Sequence, residues 1–213
     1  LEVVSLAVHP LGETQMQVIQ QSWSWVFKPS NCLEIIENAG RTCYKSEDKI
    51  DAGSSEKFAR MLLRHGHGSV IEHGVASVRF ITNRGVTHEL VRHRIASFSQ
   101  ESTRYVRYDG QMEFIQPVWW VSWSETEKKA WENAMQAAEK TYQLLLRSGS
   151  RPEQAREVLP NSLKTEIVMT ANLREWIHVF NLRCSKASHP QIRALMLACK
   201  QGFREAIPVF FDD

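Results

Sequence analysis

The sequence predicts an α+β fold: a central, largely antiparallel sheet flanked by long helices, in a single domain over residues 1–213. Three stretches predict it. Residues 74–82 (GVASVRFIT) alternate, with Ala76, Val78 and Phe80 on one face and Ser77 and Arg79 on the other, as in a half-buried strand. Residues 125–147 place Trp131, Ala134, Met135, Ala138, Tyr142 and Leu145 at helical spacing behind a Ser124–Glu127 capping box. A last helix starts at Ser188, boxed with Gln191, and runs through Ile192, Leu195, Cys199 and Phe203 to about Ala206.

The remaining elements follow in order. The opening LEVVSLAVHPLGE is apolar but short and lacks a basic leader, so residues 3–8 read as a first strand and not as a signal peptide. Residues 33–37 read as another short strand. Residues 55–64 (SEKFARMLLR) form an amphipathic helix that stops before His65-Gly66-His67-Gly68. Residues 84–94 form a helix of two or three turns, and the serine-rich stretch Ile95–Thr103 is a loop. Tyr105 and Tyr108 begin another extended piece. A short helix starts near Ser150, with Pro152 in its first turn and Glu153 in the box position, and Pro160 ends it. Residues 164–171 read as a strand and 173–182 as a helix.

Composition narrows the function. Apolar residues make up 43% and charged residues 23%, an ordinary globular balance, and a chain this long buries a core without disulfides. No run approaches the roughly 18 apolar residues of a membrane span. Cys32, Cys43, Cys184 and Cys199 form no CxxC pair, which reads as reduced thiols in a cytoplasmic protein. The net charge is only +2, yet residues 79–107 hold six arginines against Glu89 and Glu101. A local arginine cluster in a near-neutral protein suits a compact anion better than a long polyanion, which argues against a nucleic-acid partner.

The chemistry concentrates in RHRIASFSQESTRY, residues 92–105. Guanidinium presents a planar fork of donors that matches phosphate oxygens and the coplanar oxygens of a pyrimidine. Serine hydroxyls and loop N–H groups can complete such an anion nest. Arg92, Arg94 and Arg104, with Ser97, Ser99 and Ser102 between them, therefore read as a nucleotide-binding segment. Arg92-His93-Arg94 alone would equally suit a solvated helix end, but that does not require Ser102, Arg104 and Tyr105 to follow.

This segment resembles the signature of the flavin-dependent thymidylate synthases: Arg-His-Arg, seven residues, then serine, here Arg92 to Ser102, followed by Arg104 and Tyr105. Other family motifs match His67, Ser69-Val70 and Glu72-His73, then Gln154 to Pro160, Asn172 and Arg174, and Asn181-Leu182-Arg183. The resemblance covers roughly residues 40–205. It implies methylation of dUMP to dTMP with FAD as cofactor, NADPH as reductant and 5,10-methylenetetrahydrofolate as carbon donor, in a homotetramer whose active sites are shared between subunits. It implies FAD contacts from His67, Ser69, Arg92, His93, Arg94, Gln100, Asn172 and Arg174, and from His178, which stands where the family often has asparagine. It implies dUMP contacts from Arg92, Gln100, Glu101, Ser102, Thr103, Arg104, Arg156 and Arg183, with Arg183 stabilising charge on the uracil ring. Glu89 stands where the family often has glutamine, and Ser99-Gln100 where it often has Asn-Glu. An acid beside a phosphate would repel it, so Glu89 is expected to face the base or to pair with an arginine.

Uracil C5 must become nucleophilic before it is methylated. One route adds a thiolate at C6, which needs a cysteine of lowered pKa in a basic pocket; Cys184, beside Arg183, is the only candidate. The family route needs no enzyme nucleophile, only positioning and stabilisation of an enolate-like charge. Ser102 reads as a hydrogen-bond donor and not a nucleophile, since no base is placed beside it. Five of the eight histidines lie between residues 65 and 93, which raises the alternative of a metal-dependent nucleotide hydrolase. No HExxH or DxD supports one, and His73 and His88 suit polar packing. Trp119, Trp120 and Trp123 read as core or subunit contact rather than as stacking platforms.

Overall fold

The computed structural model describes residues 16–212. The strand expected over residues 3–8 lies outside them. In chain order the elements are β1 (Gln17–Ile19), β2 (Ser22–Phe27), α1 (Cys32–Thr42), α2 (Ser54–His65), α3 (Gly68–Ile71), β3 (Val75–Asn83), α4 (Arg84–Leu90), β4 (Ala96–Gln100), β5 (Glu113–Ile115), α5 (Glu125–Arg147), α6 (Pro152–Ala155), β6 (Lys164–Asn172), α7 (Leu173–Arg183), α8 (Pro190–Ala206) and α9 (Pro208–Phe211). Single 3-10 turns sit at Glu47–Lys49, Val118–Val121 and Arg156–Val158.

The main sheet is antiparallel throughout, in the order β2-β3-β6-β4, and β1 pairs with β5 in a small parallel ribbon. The α+β reading holds. β3 and β6 pair over their whole length, from Val75 opposite Asn172 to Asn83 opposite Lys164. Ala76, Val78 and Phe80 are fully buried as the alternation predicted, and face the core with Ile167 and Met169. Trp176, Val179 and Phe180 of α7, and Leu195, Cys199 and Phe203 of α8, close over them. Packing there is tight: a Cβ on Gly202 would stand 2.1 Å from the Trp23 ring.

Both central strands end in an asparagine that caps the next helix. Asn83 Oδ1 accepts from Val86 N at 2.9 Å, and Asn172 Oδ1 accepts from Glu175 N at 2.8 Å. Because β3 and β6 are antiparallel, α4 and α7 start at opposite ends of the sheet. This arrangement brings the end of α4, and the signature that follows it, against α7.

A second core gathers Met112, Phe114, Tyr142, Leu146 and Leu163 beneath α5. The Ser124–Glu127 capping box forms as predicted. The buried stripe of α5 is Met135, Glu139, Tyr142, Gln143 and Leu146, whereas Ala134 is exposed and Leu145 only half-buried. The stripe is rotated because Glu139 is wholly buried and accepts from Met112 N at 2.8 Å. Burial pushes the Glu139 pKa up.

Gln191 joins three elements. Its Oε1 accepts from Val118 N at 2.7 Å, its Nε2 donates to Gln116 O at 3.2 Å, and its backbone O accepts from Gln21 Nε2 at 2.9 Å. This use of Gln191 displaces the expected capping box. His189 caps α8 instead, its Nδ1 accepting from Gln191 N at 3.2 Å, and Ser188 Oγ is buried without a partner among the described residues.

Other expectations are corrected. Residues 33–37 lie within α1, where Cys32, Ile36 and Gly40 recur at helical spacing and Gly40 seats the Phe58 ring. The serine-rich stretch is not all loop: Ala96, Phe98 and Gln100 turn inward and Ser97 and Ser99 outward, so β4 forms the edge of the sheet. The helix from Arg84 ends at Leu90, and the chain turns at Val91–Arg92 before His93 and Arg94. The extended piece begins at Glu113, well after Tyr105 and Tyr108. The short helix after Ser150 is capped from Arg151, whose N donates to Gln154 Oε1 at 2.9 Å.

Candidate active site

The α4–β4 turn and one face of α7 enclose a cleft of about 270 Å³. Arg92, His93, Arg94 and Ile95 supply one wall, and Glu175, His178, Leu182 and Arg183 the other. Glu175, His178 and Leu182 recur every three or four residues and Arg183 follows directly, which aligns them along α7 while Trp176, Val179 and Phe180 face the core. Among the described residues neither Arg92 nor Arg94 has an acidic partner, and both are exposed.

Arg183 is held from two sides. Its Nε donates to His93 Nε2 at 3.0 Å. Its Nη1 donates to Glu89 Oε2 at 2.7 Å, and its Nη2 to the Glu89 backbone O at 2.9 Å. Guanidinium has five N–H donors, so two remain for the cleft. Of the two expectations for Glu89, pairing with an arginine is the one realised.

His93 is buried, and its Nδ1 lies 3.2 Å from Glu175 Oε1. With Nε2 accepting from Arg183, the ring proton belongs on Nδ1 and is donated to Glu175. Burial first, and then the Arg183 guanidinium, lower the His93 pKa against the opposing pull of Glu175. The imidazole is therefore neutral near neutral pH. His178 meets it edge to face at 5.7 Å. His93, Glu175 and His178 bring ligand-type atoms within 4.8 Å of one another, but three guanidinium groups line the same cleft and oppose a cation there.

A second group lies where α7 starts. Arg174 crosses Gly68 closely enough that a Cβ there would stand 2.9 Å from its Nε, and its Nη1 donates to Glu72 Oε1 at 2.7 Å. The pair ties the start of α7 to α3, beside exposed His67 and Ser69. The Asn172 side chain serves as the α7 cap.

A third group lies at the other end of β4, along a groove of about 510 Å³ whose lining includes Arg79, Ser99, Gln100, Glu101, Lys164 and Glu166. Gln100 Nε2 donates to Thr87 Oγ1 at 3.0 Å and to Thr165 Oγ1 at 3.3 Å. Glu101 accepts from Tyr108 OH at 2.5 Å and faces Lys164 at 3.7 Å. Burial lowers the Lys164 pKa, but Glu166, Glu101 and Glu113 outweigh it and the net shift is upward. Ser102 Oγ accepts from Arg104 N at 3.3 Å, and Thr103 is buried. Arg104 reaches Glu153 at 3.3 Å, and Arg156 sits 3.6 Å from Glu157.

The sequence of this chain matches the family described as thymidylate synthase complementing protein over residues 26–209. It is 37% identical over 188 residues to the flavin-dependent thymidylate synthase of Geobacter sulfurreducens, covering 82% of this chain and 78% of that one. It is 31% identical over 229 residues to the enzyme of that name from Mycobacteroides abscessus, covering 100% and 91%. A solved relative is the UMP/dUMP methylase PolB from Streptomyces cacaoi bound with 5-Br dUMP, with a TM-score of 0.78 at 27% identity, covering 92% of this chain and 96% of PolB. The chain belongs to the flavin-dependent thymidylate synthase family. It is accordingly an enzyme of the methyltransferase class.

In this member of the flavin-dependent thymidylate synthases, one chain does not gather all the residues that the signature singled out. Arg92, His93, Arg94, His178 and Arg183 share the first cleft, with Glu89 behind it. Gln100 is the last residue of β4, and Glu101, Ser102, Thr103 and Arg104 lie beyond it. The cause is the strand itself: β4 pairs in register from Ala96 opposite Ala171 to Gln100 opposite Ile167. Four strand steps separate the two ends by about 14 Å.

Glu175 was not singled out from the sequence. The available signal was its place one helical turn before His178 on the face that carries Arg183. Lys164, which collects Glu101, Glu113 and Glu166, was also missed. No thiol suits the nucleophile route well. Burial pushes the Cys32 pKa up to about 11 and raises Cys199 well above the usual thiol value. Cys184 is the half-buried C-cap of α7, with its backbone O accepting from Arg193 at 3.2 Å. Of the tryptophans at 119–123, Trp119 is 40% exposed, whereas Trp120 and Trp123 are half-buried and Trp120 packs edge-on against Trp131.

Proposed function

We propose that the protein converts dUMP to dTMP by reductive methylation, with 5,10-methylenetetrahydrofolate as carbon donor and FAD, re-reduced by NADPH, as redox cofactor. The clamp on Arg183 carries this reading. Three of its donors are fixed by His93 and Glu89, so the remaining two present a rigid positive edge to the cleft. Such an edge stabilises charge that develops on a uracil carbonyl as C5 turns nucleophilic, without an enzyme nucleophile. The elevated thiol pKa values of Cys32 and Cys199 agree with that route.

The donor set fits a flavin nucleotide. Arg92 and Arg94, without an acidic partner among the described residues, offer guanidinium forks for a diphosphate, and Ile95 and Leu182 offer apolar contact for a ring. His67, Ser69, Arg92, His93, Arg94, Gln100, Asn172, Arg174 and His178 are the proposed flavin contacts. When bound, the reduced flavin supplies the hydride that completes the methyl group. Glu89, Arg92, Gln100, Glu101, Ser102, Thr103, Arg104, Arg156 and Arg183 are assigned to dUMP.

The dUMP set spans both ends of β4, farther than one small nucleotide reaches. We therefore assign each site to residues from more than one chain of a homotetramer, in a cytoplasmic enzyme. The testing experiment is a visible spectrum of the purified protein, followed by NADPH oxidation with and without dUMP. A flavin spectrum and dUMP-stimulated oxidation with dTMP formed are expected. A colourless protein that hydrolyses nucleotides and is silenced by a chelator would favour the metal-dependent hydrolase and end this reading.

A further inference from the structure

We propose that Glu175 is a positioning residue for Arg183, acting through His93. The rate measurements below rest on the dUMP-methylating reading; the spectroscopic ones do not.

Glu175 sits in the first turn of α7, is almost fully buried, and directs its Oε1 at His93 Nδ1, 3.2 Å away. Burying a carboxylate is costly unless it is paired. Here the positive end of the α7 dipole and the imidazole N–H meet that cost. The consequence reaches beyond the pair. An imidazole that donates from Nδ1 must present a lone pair at Nε2, and that lone pair is what Arg183 Nε meets at 3.0 Å. Without Glu175 the ring can carry its proton on Nε2, which then opposes the Arg183 N–H. Glu89 still holds two donors, but the guanidinium can pivot about that edge. Glu175 thus fixes the tautomer, the tautomer fixes Arg183 Nε, and Arg183 keeps its remaining donors aimed into the cleft.

The charged and titratable groups around His93 are Glu175, His178 and Arg183 on α7, Glu89 on α4, and Arg92 and Arg94 on its own turn. Of these, Glu175 is the one that raises the His93 pKa. Protonating His93 removes the acceptor for Arg183, so turnover should fall on the acid side as the ring charges.

The test compares Glu175→Met, which keeps volume but removes the acceptor, with Glu175→Gln, which keeps an acceptor oxygen but removes the charge. Where histidine ligates a metal, losing the group that orients it costs about 10- to 100-fold. Here histidine holds Arg183 in place of a metal, so Glu175→Met should lower kcat on the order of 10²-fold. Glu175→Gln should recover kcat to within about fivefold of the parent, one hydrogen bond's difference. Its acid limb should move to lower pH. A merely structural role predicts a retained rate in Glu175→Met and an unmoved acid limb in Glu175→Gln. Nitrogen NMR of the histidines in the full-length protein, with His93 assigned by its loss in His93→Gln, should show the Nδ1–H tautomer in the parent and its loss in Glu175→Met. An unchanged tautomer, a retained rate, or an unmoved acid limb in Glu175→Gln would overturn the proposal. If the parent made no dTMP while the tautomer shifted as expected, the clamp would stand and only the substrate reading would fall.

Discussion

Arg183 Nε donates to His93 Nε2 at 3.0 Å, so the cleft-lining guanidinium hangs on a histidine ninety residues away in sequence. Arg183→Ala should leave the fold intact and reduce dTMP formation by about 10²–10³-fold or more, as for loss of a preorganised charge-stabilising donor. Arg183→Lys should not restore it, because a point charge cannot bridge His93 and the Oε2 and backbone O of Glu89. Steady-state kinetics beside circular dichroism checks this; near-normal turnover in either variant would remove Arg183 from the mechanism.

Stability should depend on His93 at mildly acid pH. Its pKa in the folded protein lies below the unfolded value of about 6.5. As pH falls, the unfolded chain therefore takes up a proton before the folded one, and stability is lost from about pH 6.5 downward. Melting temperatures between neutral pH and pH 5 should drop less steeply in His93→Gln than in the parent.

The proposed sharing of the site between chains makes a complementation prediction. Arg183→Ala and Arg104→Ala, each inactive alone, should regain activity when unfolded together and reassembled. Their residues lie at opposite ends of β4, so a mixed assembly can form an undamaged site. Two inactive parents that give an inactive mixture would place the whole site in one chain.

The tight seat of Trp23 predicts a packing effect far from the cleft. Gly202→Ala would set a methyl 2.1 Å from the ring of Trp23. Denaturant unfolding should show a loss of about 1–3 kcal/mol, the usual cost of overpacking, without a change in flavin binding.

The sequence was most legible where one period governed. β3 read correctly because Ala76, Val78 and Phe80 alternate, and α5 was found from its cap and helical spacing although its buried stripe is rotated toward Glu139. Residues 33–37 misled because a short apolar run suits strand and helix alike; only Phe58, packed on Gly40, settles it. The edge strand β4 was hidden by its serines, which face outward and carry no apolar alternation. The signature pointed to Arg92, Arg94 and Arg104, but not to their separation along β4. Glu175 stayed invisible because a lone acid in a first helical turn reads as a dipole partner until His93 arrives from another element.

The Gln191 side chain gives the turn at Val118 an unusual standing. A single surface 3-10 turn ordinarily frays and exchanges its amide hydrogens freely. Here the Val118 amide points at Oε1 of a buried side chain anchored on α8. Its deuterium uptake should therefore be as slow as that of the sheet, and the neighbouring Trp119 and Val121 project into solvent from a stiff mount.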